Sequence, residues 1–146
     1  MTRGDLGMGK PAPEMVERLL RARGFALTSQ RRAIVRHLAA HGGHWTPSQL
    51  RAAITGGFPM ASRATVYATL ALLRDLGVLQ EVLVPGGERR FDTNPEPHHH
   101  FLCRGCGRLE DLPIPSVAVR LAQEADPLYQ VERFSVIAEG LCGRCA

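Results

Sequence analysis

The chain has 146 residues, 45% hydrophobic and 22% charged, which suits one ordinary domain or two small ones whose modest cores call for a staple. No apolar run is long enough to span a bilayer, and the start, MTRGDLGMGKPAPE, lacks the apolar core of a signal peptide, so a cytoplasmic protein with no membrane partner is expected. The formal net charge of +4 suits a polyanion, and most of the arginines fall before residue 91.

In chain order, PEMVERLLRARGF predicts a helix that opens at Pro13 and stops at Gly24, with Met15, Val16, Leu19 and Leu20 as its apolar face. A second helix follows Thr28 as N-cap, carries Ile34, Val35 and Leu38 inward, and breaks at HGG. HWTPSQLRAAI has Thr46 as cap, Pro47 at the first helical position and Gln49 three residues after the cap, the signature of a capping box; GGFP ends that helix. A fourth helix starts near Ser62, presents Val66, Leu70, Leu73 and Leu76 as a core stripe and closes at Gly77. VLQEVLV and ERRFDTN are β-prone runs around the turn PGG.

Short helices followed by a hairpin give the order of a winged helix-turn-helix, so residues 1–93 are expected to bind double-stranded DNA, with the hairpin as wing and the preceding helix as reader. NPEP, residues 94–97, reads as a hinge. Beyond it, HHHFLC and the segment around YQVERFSVIAEGLC read as strands, with a helix at SVAVRLAQEA between them. Residues 98–146 are thus a small α/β domain, and the fold class is α+β.

All four cysteines form CxxC pairs, Cys103 with Cys106 and Cys142 with Cys145. Four thiolates close a tetrahedron and leave no open position, which is the pattern of a structural Zn2+. Disulfides do not suit a reducing compartment, and a redox dithiol would be expected as a lone pair at a helix start. Gly105, Gly107 and Gly143 are expected to ease the knuckle turns.

A second group is less self-evident. His98 and His100 are two apart on a predicted strand and share a face, whereas His99 points away. Read alone, the three histidines fit a solvated turn as well as half a metal site. Asp92 ends the wing, Asp111 follows the first knuckle and His44 precedes the third helix; each has an ordinary reading as a turn or capping neighbour.

The stretches LTSQRRAI, HWTPSQL, RATVYATL, GVLQEV, RRFDTN, HHHFLCRGCG and GLCGRC, in this order and spacing, resemble the ferric uptake regulator family over nearly the whole chain. The resemblance implies a repressor with a winged-helix domain, an α/β dimerisation domain that makes it a homodimer, the four-cysteine zinc, and a regulatory metal between the domains. Carried over, that regulatory site falls on His44, Asp92, His98, His100 and Asp111, a thiol-free set that suits Fe2+ or Mn2+. Affinity order alone would favour zinc, so availability sets the occupant. Aspartate at both acidic positions resembles the peroxide-stress repressors of the family. For those the resemblance implies that, with iron bound, peroxide oxidises His44 or His98 and releases DNA. The alternative is an iron- or manganese-uptake regulator without peroxide sensing.

The chain also departs from the family. Phe134 and Ala118 stand where some members place ligands of a further metal site, so that site is expected to be absent. Ala68 and Ala26 replace basic residues common at DNA contacts, leaving Arg31, Ser62, Arg63, Thr65 and Tyr67 as candidate DNA-binding residues. A metal-dependent hydrolase is a poor fit, since no separate nucleophile, substrate-binding glycine loop or general-base pair accompanies the histidines, and no enzymatic activity is expected. A zinc-stapled DNA-binding protein with no sensing role is the remaining rival.

Overall fold

A computed structural model of the chain describes residues 12–56, 61–118, 130–131 and 133–146. The chain divides into two compact units, Met1–Glu96 and Pro97–Ala146.

In the first unit, α1 (Pro13–Ala22), α2 (Ser29–His41), β1 (His44–Trp45), α3 (Pro47–Ile54) and α4 (Arg63–Asp75) precede β2 (Gln80–Val82) and β3 (Arg90–Asp92). Three starts are fixed by side-chain caps. Thr28 accepts from the Arg31 amide, Ser62 accepts from the Thr65 amide, and Thr46 with Gln49 forms a complete capping box. Gly24 and Gly77 lie just beyond α1 and α4 at φ 78° and 73°, where a side chain would be strained.

Ile34, Leu50, Val66 and Leu70 are fully buried, each 0% exposed, at the centre of a core that Phe91 of β3 completes. Helices and wing therefore share one hydrophobic nucleus. The face expected for α1 needs correction. Met15 is exposed and Glu17 takes the buried place, because Arg36 and Arg32 of α2 reach its carboxylate at 3.1 and 3.7 Å. A buried charge with two cationic partners costs little, which spacing within one helix does not reveal.

The three strands form a sheet of order β1-β3-β2, all pairs antiparallel. Strand β1, absent from the sequence reading, pairs His44 with Asp92 and Trp45 with Phe91.

The second unit contains β4 (His99–Cys103), β5 (Leu109–Leu112), a 3-10 turn (Ile114–Ser116) and β6 (Ile137–Gly140). Its sheet has the order β5-β4-β6, with β5 antiparallel and β6 parallel to β4. Strand β5 was not expected. The helix expected at 116–125 lies mostly outside the described residues; its first residue ends the 3-10 turn. The strand around YQVERFSVIAEGLC is confined to β6 within the described residues.

Candidate metal centres and nucleic-acid face

The zinc-type site follows from the parallel pairing of β4 with β6. That register sets Cys103 opposite Gly140, so the turns after both strands, which carry the remaining cysteines, emerge at the same end of the sheet. Each knuckle closes on itself: the Gly107 amide donates to the Cys103 carbonyl and the Cys145 amide to the Cys142 carbonyl, both at 2.8 Å. The four sulfurs lie within 4.8 Å of one another, and those of Cys106 and Cys142 are 3.9 Å apart. A tetrahedron with Zn–S bonds of about 2.3 Å has edges of about 3.8 Å, whereas a disulfide needs about 2.05 Å. The spacing is that of ligands around one ion.

The electrostatics agree. Backbone amides of Cys142 and Cys106 donate to the Cys103 sulfur and hold its thiol down to about 6, the Cys142 contact measuring 3.3 Å. Hydrogen bonds from Cys142, Cys103 and Cys106, in that order, favour the protonated form of Cys145 and push it up to about 12. One thiol ionises easily and another resists, so four thiolates need a cation among them. The set fits Zn2+ as a closed structural site.

Of the three knuckle glycines, Gly107 does the job expected of it and the other two do not. Only Gly107 has positive φ, 72°. Gly105 is required for room: a Cβ there would stand 2.8 Å from the Cys145 Cβ. Nothing surrounds Gly143 within 4 Å of such a Cβ.

The other candidate ligands form two groups, one within each unit. In the first unit, the β1–β3 register puts His44 directly across from Asp92, with Nε2 3.3 Å from Oδ2. The Asp92 side chain is only 1% exposed, and its Oδ1 accepts from the Asn94 amide at 2.8 Å. A carboxylate so buried must keep a cationic or donor partner. In the second unit, the β4–β5 register puts His100 across from Asp111, while His98 Nε2 lies 3.3 Å from Asp111 Oδ1. The rings of His98 and His100 are 4.4 Å apart, as strand alternation requires. His99 lies buried on the other side, where its Nδ1 accepts from the Val136 amide at 3.3 Å and its ring stacks on Phe134 at 5.8 Å. These contacts pack His99 against Phe134, whose ring cannot ligate a metal.

At the candidate nucleic-acid face, Arg63, Tyr67 and Ala68 of α4 are exposed. Ser62 and Thr65 point their hydroxyls at each other, 2.8 Å apart, while Ser62 also caps α4. Arg31 spends one guanidinium N–H on the Ala26 carbonyl, which anchors it to the loop before α2. Sequence reasoning missed Glu88, in the wing turn, whose Oε1 accepts from the Tyr67 hydroxyl at 3.4 Å and the Ser48 hydroxyl at 3.3 Å. An isolated acid in a glycine-rich turn carries no signal of its own.

A winged-helix domain followed by a small α/β domain stapled by four cysteines defines a class of transcription regulators rather than of enzymes. The profile of the ferric uptake regulator family matches residues 22–136, and the chain belongs to that family. The peroxide-responsive repressor PerR of Staphylococcus aureus is 33% identical over 128 residues, 86% of each chain. The structure of PerR from Streptococcus pyogenes, described as a basis for peroxide sensing and gene regulation, is similar at TM-score 0.54 and 27% identity, covering 92% of this chain and 93% of that one. The ferric uptake regulator of Helicobacter pylori superposes at TM-score 0.72 with 20% identity, covering 93% of this chain and 95% of the other, which speaks for the fold alone. Among the described residues no helix is long and apolar enough to cross a membrane.

Proposed function

We propose that the protein is a metal-dependent transcriptional repressor that binds operator DNA as a homodimer, is loaded with Fe2+ or Mn2+, and responds to peroxide. What supports this reading is a thiol-free group of donors within each unit: His44 beside Asp92 in one, His98 and His100 beside Asp111 in the other. Three imidazoles and two carboxylates suit Fe2+ or Mn2+ in a five- or six-coordinate shell. An ion that takes ligands from both halves would fix one orientation across residues 94–97. In a two-fold dimer, that orientation sets the spacing of two recognition helices, which must sit about one turn of DNA apart. A switch from mostly inactive to mostly active needs about 5 kcal/mol of differential affinity, within reach of several metal–ligand bonds. Thr65 and Tyr67 of α4 are the proposed base contacts and Arg63 and Arg31 the proposed phosphate contacts, with Ser62 beside them in the DNA-binding set.

Peroxide sensing rests on the two aspartates and on the 33% identical repressor named for it. In the proposed step, with Fe2+ bound, one oxygen of hydrogen peroxide is added to the ring of His44 or His98 and the other leaves as water. Fe2+- and Mn2+-loaded protein treated with peroxide would be analysed by mass spectrometry and for DNA binding. One added oxygen on those peptides with iron alone, together with loss of binding, is the expected result; no iron-specific oxidation returns the protein to plain metal-uptake control. Asp92→Ala and His98→Ala should each abolish metal-dependent DNA binding and leave a zinc-containing dimer. Metal activation undiminished in both would overturn the switch.

A further inference from the structure

Tyr67 and Arg74 lie seven residues apart on α4, two turns along one face, about 10 Å. Both are fastened to the wing. Arg74 donates to Glu81 of β2 at 2.5 Å, and Glu81 also takes Arg89 from the wing's return at 2.7 Å. At the other end, Glu88 takes the Tyr67 hydroxyl at 3.4 Å and, through the same oxygen, the Ser48 hydroxyl of α3 at 3.3 Å.

These two fastenings differ in kind. The lower one pairs cations with an acid that is only 16% exposed, and it serves the packing of wing on helix. The upper one is exposed and holds an aromatic hydroxyl, on the face offered to DNA, with a carboxylate. A carboxylate there repels phosphate and lowers affinity for any duplex. Its compensation is geometric: a phenol that swings freely reads bases poorly, whereas a held one presents its ring and hydroxyl in one direction.

We propose that Glu88 is a specificity-determining residue, which holds the Tyr67 phenol against the wing so that α4, α3 and the wing read an operator as one rigid surface. Glu88 acts through Tyr67 and Ser48 and is a positioning residue. The inference rests on the DNA-binding reading above.

The test uses the full-length, metal-loaded protein and a duplex that the wild type enriches from a random pool, compared with a scrambled duplex of equal length over a range of salt. Glu88→Ala should lower the ratio of selected to scrambled affinity about fivefold, the scale of one positioned hydrogen bond. Tyr67→Phe should do the same, the double variant should lose no more than the worse single one, and Glu88→Gln, whose amide oxygen still accepts, should keep the ratio within about twofold. Circular dichroism confirms that each variant is folded. If Glu88→Ala strengthens binding to both duplexes alike, Glu88 acts only as a charge and the inference falls. It also falls if the two single losses add. If the wild type enriches no duplex with metal or without, the DNA-binding reading itself fails and takes this inference with it.

Discussion

At the scale of the residue, His37 shows how a local environment sets a pH response. Its ring stacks on His41 at 4.1 Å and meets the edge of Trp45 at 4.8 Å, while its Nε2 is buried without a hydrogen-bond partner among the described residues. Burial, and then the charge of His41, push its pKa below the ordinary value of 6.5. The fold therefore prefers neutral His37, whereas the unfolded chain takes up a proton as pH falls through 6.5. Stability from this residue is complete above 6.5 and is lost as pH falls below it. His37→Gln should flatten the decline in urea midpoint between pH 7.5 and 5.5 relative to wild type. Because Trp45 is the single tryptophan, its fluorescence can follow the transition. An unchanged slope would show that other histidines carry the whole response.

At the scale of the element, the helices were legible because their ends carry chemistry of their own. Thr46 accepts from the Gln49 amide at 3.1 Å and Gln49 returns to the Thr46 amide at 3.0 Å, as the sequence TPSQ announces. Thr46→Ala should cost about 1 kcal/mol by urea denaturation, with Thr46→Ser retaining most of it, and should loosen the chain between His44 and α3. An unaffected midpoint would mean that Pro47 and packing alone fix this start. The strands were harder. β1 has two residues and β5, LEDL, sets its leucines three apart, so neither shows an alternation, and each exists because a partner strand supplies its hydrogen bonds. For the same reason the sequence offered His44 and Asp111 as isolated residues. Only pairing puts His44 across from Asp92 and His100 across from Asp111. The CxxC pairs were legible from spacing, but the parallel register that brings them together was not, nor was the need for Gly105 to make room for Cys145.

At the scale of the whole molecule, the described residues of the two units differ in what holds them. The continuous core of the first unit runs from Val16 to Phe91, whereas the buried apolar side chains described in the second are Leu102, Cys103 and Leu109. The zinc-type site ties together the turns that follow β4 and β6, so the second unit is expected to depend on its metal. Chelation of zinc should therefore remove amide-exchange protection from β4, β5 and β6 while α2 and α4 keep theirs. Simultaneous loss in both units would show that the first unit depends on the second. Acid should act through the same site. Protons compete with zinc for thiolates, and the most easily ionised of the shifted thiols, Cys103, sits at about 6 without a cation. Cys145, pushed up to about 12, must give up its proton as well, so at a given zinc level occupancy falls progressively as pH falls. Zinc release, followed with a chromogenic chelator, should track the loss of protection in the second unit and precede any in the first. Release already complete at neutral pH would mean that the four sulfurs do not hold their ion as a closed site.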